Sequence, residues 1–95
     1  MEDINMKGIK AVVSVIGKDD VGILAKVSAA VAEAGACVAD MTQSVLDGYF
    51  CMIMIIEISK ANQSIDEMRS SIAEAVPDME VHVMHEDIFN SMHTI

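Results

Sequence analysis

The element order legible in the chain, β-α-β-β-α-β, predicts an α+β domain with four antiparallel strands and two helices on one face. Three observations carry that expectation. Two stretches of helical periodicity, each closed by a breaker, lie between runs rich in β-branched residues. Asp47-Gly48, the strongest kind of short-range hairpin signal, separates two strand-like runs. The core-forming material is almost wholly aliphatic: 53% of the 95 residues are hydrophobic, with nine Met, two Phe, one Tyr and no Trp.

Met1 to Asn5 is short and polar, and a frayed start is expected, with a single domain over residues 6–95. Lys10 to Ile16 reads as the first strand. The turn Gly17-Lys18-Asp19-Asp20-Val21-Gly22 follows, and its two glycines allow a sharp bend with positive φ. Ile23, Leu24, Val27, Val31 and Ala34 then share one helical face, and Gly35 stands where a helix C-terminus wants positive φ. Cys37 to Leu46 alternates as a second strand of mixed polarity, paired through the Asp47-Gly48 turn with Tyr49 to Ser59.

That third strand is apolar on both faces, so something must cover the side away from the helices. A second copy of the chain or the terminal segment could do so. Ser64 with Glu67 three residues on is a capping-box pattern for the second helix, whose stripe is Ile65, Met68, Ile72 and Val76. Pro77 ends it. Met79, Val81 and Val83 alternate as the fourth strand, and Ile88, Met92 and Ile95 share one face of a short terminal helix, with Phe89, Met92 and Ile95 expected to dock on the body. The whole is the ferredoxin-like arrangement with a helical tail.

Charge narrows the function classes. A formal net charge of −9, from 15 acidic against 6 basic residues, repels phosphodiester backbones and anionic membranes. No secretory leader opens the chain, and the longest apolar run, Tyr49 to Ile56, is far short of the ~20 residues that span a bilayer. A cytoplasmic protein with no nucleic-acid or membrane partner is expected. Cys37 and Cys51 match neither a disulfide framework nor a metal knuckle, and buried reduced thiols are expected. With Asp47-Gly48 as the turn, Cys51 should face Ser44 and Cys37 should face Ile58.

Candidate chemistry concentrates at the first turn. Asp19 and Asp20 diverge on any regular backbone, so one is expected to cap the helix while the other meets solvent or an ammonium group. A zwitterionic amino acid suits such a place, with its carboxylate on free helix N–H groups and its ammonium on a carboxylate side chain. Phosphate does not, because the turn lacks Gly-Lys-Ser/Thr and G-x-G-x-x-G. Gln43 on the second strand is either an edge or interface residue or a ligand contact.

His82 and His85 point to opposite faces of a strand, and His85-Glu86-Asp87 reads as a solvated cluster, so no metal site is expected. No nucleophile, base and orienting group fall together. Ser28 and Ser44 have no evident His partner, and an acylphosphatase-like site would need an Arg where the sole Arg69 lies on a helix surface. No enzyme activity and no cofactor are expected.

The chain resembles ACT domains, sensing modules of amino-acid metabolism. The resemblance rests on Gly17-Lys18-Asp19-x-x-Gly22-Ile23, Ala25-x-Val27-Ser28, Ala32-Glu33-x-Gly35, Asp40-Met41-x-Gln43 and Leu46-Asp47-x-x-Phe50-x-Met52. The end, Ile88-Phe89-x-x-Met92-x-x-Ile95, is similar to a stand-alone single-ACT family related to the glycine cleavage system transcriptional repressor. This resemblance implies amino-acid binding at the first turn, often where two domains meet. It nominates Asp19, Gly22 and Ile23, with Asp40 and Gln43 as further candidates. Cys37 stands where many ACT domains carry an Asn whose amide helps hold the ligand. The expectation is a ligand-sensing regulatory homo-oligomer; the alternative is a structural protein–protein interaction module without a ligand.

Overall fold

A computed structural model describes residues 8–92, so the expected frayed start over Met1–Asn5 and the position of Ile95 lie outside the described residues. The elements are β1 (Lys10–Lys18), α1 (Ile23–Glu33), β2 (Cys37–Leu46), β3 (Tyr49–Glu57), α2 (Ile65–Ala75), β4 (Glu80–His85) and α3 (Glu86–Met92). The four strands form one sheet in the order β2-β3-β1-β4, every neighbour antiparallel. This is the ferredoxin-like architecture, with a third helix added at the end.

The strand period of two sorts the core. Val13 and Val15 of β1, Met52, Met54 and Ile56 of β3, and Val83 of β4 face Val27 and Val31 of α1 and Met68 and Ile72 of α2. Each large side chain so buried contributes ~1.5–3 kcal/mol of transfer free energy. The helix ends are built locally. Ser64 Oγ accepts from Glu67 N at 3.1 Å while Glu67 Oε1 accepts from Ser64 N at 2.8 Å, the expected capping box. Gly35 (φ +78) closes α1, with Gly35 N donating to Ala32 O and Ala36 N to Val31 O, a Schellman pair.

The hairpin turn forms as expected, with positive φ at both Asp47 and Gly48, as a type I′ turn requires. Facing residues hold that register from Leu46↔Tyr49 back to Asp40↔Ile55, including Ser44↔Cys51. A bulge between Val38 and Asp40 then shifts it by one, so Cys37 faces Glu57 and not Ile58. Cys37 is also exposed, contrary to the expected buried thiol, because it opens an edge strand that neither helix covers; Cys51 is half-buried. The first strand runs two residues past Ile16, pairing Gly17 with Phe50 and Lys18 with Tyr49. Gly17 is therefore a strand residue and not part of the turn. A Cβ there would meet Met79 Sδ at 2.7 Å, so its role is close approach of the α2–β4 loop.

The face of the sheet away from α1 and α2 is covered in part. α3 packs over β1 and β4 and buries Val12, while Phe89 is half-buried. Of the residues expected to dock, Phe89 is turned to the sheet and Met92 lines the space beneath α3, whereas Ile88, placed on the same stripe as Met92, is 53% exposed. β2 stays exposed along nearly its whole length, and Leu46, Tyr49 and Ile16 form an uncovered apolar surface at one end. Among the described residues no helix is long and apolar enough to cross a membrane.

Removing the chain from Ile88 onward should uncover Val12 at a cost of ~1.5–3 kcal/mol. Thermal unfolding of the truncated protein checks this. A drop in Tm of several degrees is expected, about 4–8 °C per kcal/mol in a domain of this size, and an unchanged Tm would show that α3 stabilises nothing.

Candidate functional site

The turn between β1 and α1 has no side-chain cap. Gly22 is itself the N-cap, in the left-handed region at φ 78°, ψ 14°. Its carbonyl accepts from Lys26 N at 3.0 Å and starts the helical ladder. No carboxylate lies in the first turn of α1, and among the described residues no side chain accepts its leading N–H groups. The expectation that Asp19 or Asp20 caps the helix is thus overturned. Asp20 Oδ1 instead accepts from the adjacent Val21 N at 2.7 Å, a local turn bond that competes with capping. Asp19 N donates to Gly48 O at 2.9 Å, which ties the turn to the tip of the β2–β3 hairpin. The Asp19 carboxylate itself makes no hydrogen bond to any described residue.

A cleft of about 460 Å³ opens beside this turn. One wall is Asp19, Asp20, Val21 and Ile23, with Lys18 and Lys26 at its sides; the other is the α2–β4 loop from Val76 to Met79. The sheet order explains the meeting. β4 runs antiparallel beside β1, and the pair Ile16↔Glu80 brings the start of β4 to the end of β1. Three carboxylates (Asp19, Asp20 and Asp78) and two ammonium groups (Lys18 and Lys26) therefore share one cleft with the leading N–H groups of a helix. Among the described residues neither lysine is ion-paired. Both signs of charge are available to a small molecule, and the apolar Val76 and Met79 offer a surface to its side chain.

Of the residues nominated from sequence, Asp19 and Ile23 line the cleft and Gly22 stands at its helix end. A Cβ built on Gly22 would have no heavy atom within 4 Å, so the space before the helix is open. Asp40 and Gln43 are not brought there. Both lie on β2, two strands away from β1 at the free edge of the sheet. Asp40 Oδ1 accepts from Met41 N at 2.8 Å beside the bulge, and Gln43 is exposed opposite Met52. Lys26 and the Val76–Met79 wall were missed by sequence reasoning. Lys26 was findable, since it stands one helical turn after Gly22 and so beside the same N-terminus. The loop needed the β1–β4 pairing. Among the described residues no group of three His, Cys, Asp or Glu gathers to hold a metal ion, and His82 and His85 fall on opposite faces.

A four-stranded βαββαβ sheet with an open, charged cleft at its first strand-to-helix turn is a ferredoxin-like domain. More narrowly, the chain belongs to the ACT domain family, whose model matches residues 10–86. A UPF0237 protein of Listeria monocytogenes is 42% identical over 89 residues, covering 92% of this chain and 100% of that one. An ACT domain protein from Streptococcus pneumoniae has the same fold with a TM-score of 0.71 at 32% identity, covering 86% of this chain and 94% of that chain. The fold also recurs, with a TM-score of 0.68 at 20% identity, in a protein named as a glycine cleavage system transcriptional repressor; there the match covers 81% of this chain and 45% of the other.

Gly22→Val should cost ~1–3 kcal/mol, since a β-branched residue is strained at φ +78° whatever the space around it. Asp19→Asn should stay within about 0.5 kcal/mol of the parent, because the carboxylate supports no described bond. Denaturant unfolding of the two variants checks both; equal stabilities would mean that the left-handed turn carries no strain for a side chain.

Proposed function

We propose that this chain is a regulatory ACT domain that senses an amino acid in the first-turn cleft and works as a homo-oligomer in the cytoplasm, without catalytic activity of its own. The observation that carries the reading is the uncapped N-terminus of α1 facing a cleft in which, among the described residues, the Asp19 carboxylate makes no hydrogen bond and Lys18 and Lys26 are not ion-paired. An α-carboxylate is held by the helix N–H groups and Lys26, an α-ammonium by Asp19, and the side chain rests against Val76 and Met79. Asp40 and Gln43 then serve as contacts to a second copy along the free β2 edge, not as ligand contacts within one chain. What supports the oligomer is that edge and the adjoining Leu46, Tyr49 and Ile16 surface, since exposed apolar patches mark interaction sites. The second reading, a protein–protein interaction module with no ligand, is favoured by that same surface.

Calorimetric titration against the twenty amino acids separates the two. A binder present at ~100 times its Kd should add about 2.7 kcal/mol of apparent stability. Asp19→Asn should weaken it by ~1.5–3 kcal/mol through loss of a charged hydrogen bond, while Asp20→Asn, whose carboxylate is engaged with Val21 N, should change affinity little. If no amino acid binds, the sensing reading fails and the interaction module stands. Light scattering at micromolar concentration should give at least twice the monomer mass, reduced to the monomer by Leu46→Asp; a monomeric parent protein rejects the oligomer.

A further inference from the structure

On the opposite face of the sheet, α3 does not lie flat. Between it and the strands is a second cavity of about 300 Å³, separate from the first-turn cleft. Its walls are Val12, Ile53, Met84, Phe89 and Met92, and its two polar groups are Ser14 and His82. The register shows how these come together. Ser14 stands between Ile53 of β3 and His82 of β4 in one row across the sheet, and Val12 lies beside Met84 in the next row. On this face of β1 the residues either side of Ser14 are Val12 and Ile16, so a lone hydroxyl interrupts an aliphatic strand. That hydroxyl makes no hydrogen bond to any described residue. A ligand head group in the cavity would supply that bond.

We propose that this cavity is a ligand site for a small uncharged amphiphile: an aliphatic body with a single hydroxyl head. Its size sets the body, since it has room for about ten water-sized groups. Its walls set the chemistry, with thioethers that adjust to an irregular alkyl shape. Charge sets the head. Glu80 Oε2 already lies 2.8 Å from His82 Nε2, and the chain carries a net charge of −9, so an anionic head meets repulsion. Among the described residues no carboxylate lines the cavity to hold a cation. A hydroxyl can donate to the imidazole's free Nδ1, since Nε2–H is given to the Glu80 carboxylate, and accept from the Ser14 hydroxyl.

The test is an NMR titration of the full chain with 1-hexanol, hexanoate and hexylamine, following backbone amides and methionine methyl groups. Saturable shifts at Ser14, His82, Met84 and Phe89 with hexanol are expected, with hexanoate and hexylamine at least about tenfold weaker. Ser14→Val should weaken hexanol by at least about fivefold, and Ser14→Ala is read in its place if the valine variant is unfolded. Asp19→Asn should leave hexanol binding unchanged, so a failure of the amino-acid reading does not touch this one. No saturable shift at these residues, equal binding of hexanoate, or full affinity in the Ser14 variant each overturns the proposal.

Discussion

The constraint on which the molecule depends is that β1 is paired on both sides, with β3 along Lys10–Lys18 and with β4 along Ala11–Ile16. A strand hydrogen-bonded on both edges and packed under two helices has almost no freedom of register. A slip of one residue would carry Val13 and Val15 to the other face and bring Ser14 into the core. Because β1 is held this way, the position where it ends is held too, and that is where the turn, the cleft and the start of α1 are assembled. The glycine at position 17 belongs to the same constraint, since a Cβ there would displace the Met79 side chain and crowd Asp78 O of the loop that forms the opposite wall.

The first-turn cleft is therefore not a free loop feature. Its floor is the end of a doubly paired strand, its far wall is the loop entering β4, and its turn is bonded to the hairpin tip through Asp19 N and Gly48 O. That bond connects two surfaces of different character, the charged cleft and the apolar region around Leu46 and Tyr49. Any coupling between an amino acid at the first and a second copy at the second would be equal in both directions.

Most of the fold was legible because each signal has a local cause. The capping box at Ser64 and Glu67, the Asp47-Gly48 turn and the Gly35 helix end all formed where residue chemistry indicated. What was not legible depended on contacts between distant parts of the chain. The bulge near Ala39 has no composition signal, and it moved Cys37 out of its expected register. The fate of the helix N-terminus turned on competition: Asp20 could bond its neighbour or reach the helix, and nothing in the residue types decides between them. Asp40 and Gln43 were nominated beside the turn residues by the family resemblance alone, yet the β2-β3-β1-β4 order sets two strand spacings between them and β1. The docking of α3 through Phe89 was legible, but apolar periodicity alone does not say that Ile88, on the stripe of Met92, turns away from the sheet.

The aliphatic core has an optical consequence. With no Trp and a single Tyr in the chain, almost all of its near-ultraviolet emission comes from one side chain, and that side chain is Tyr49, more than half exposed beside Leu46. The interior of the protein is thus spectroscopically dark, and the unmodified molecule carries a built-in probe at a known place on its surface. Its emission and quencher accessibility report what covers the end of the β2–β3 hairpin, while unfolding of the core must be followed by other means.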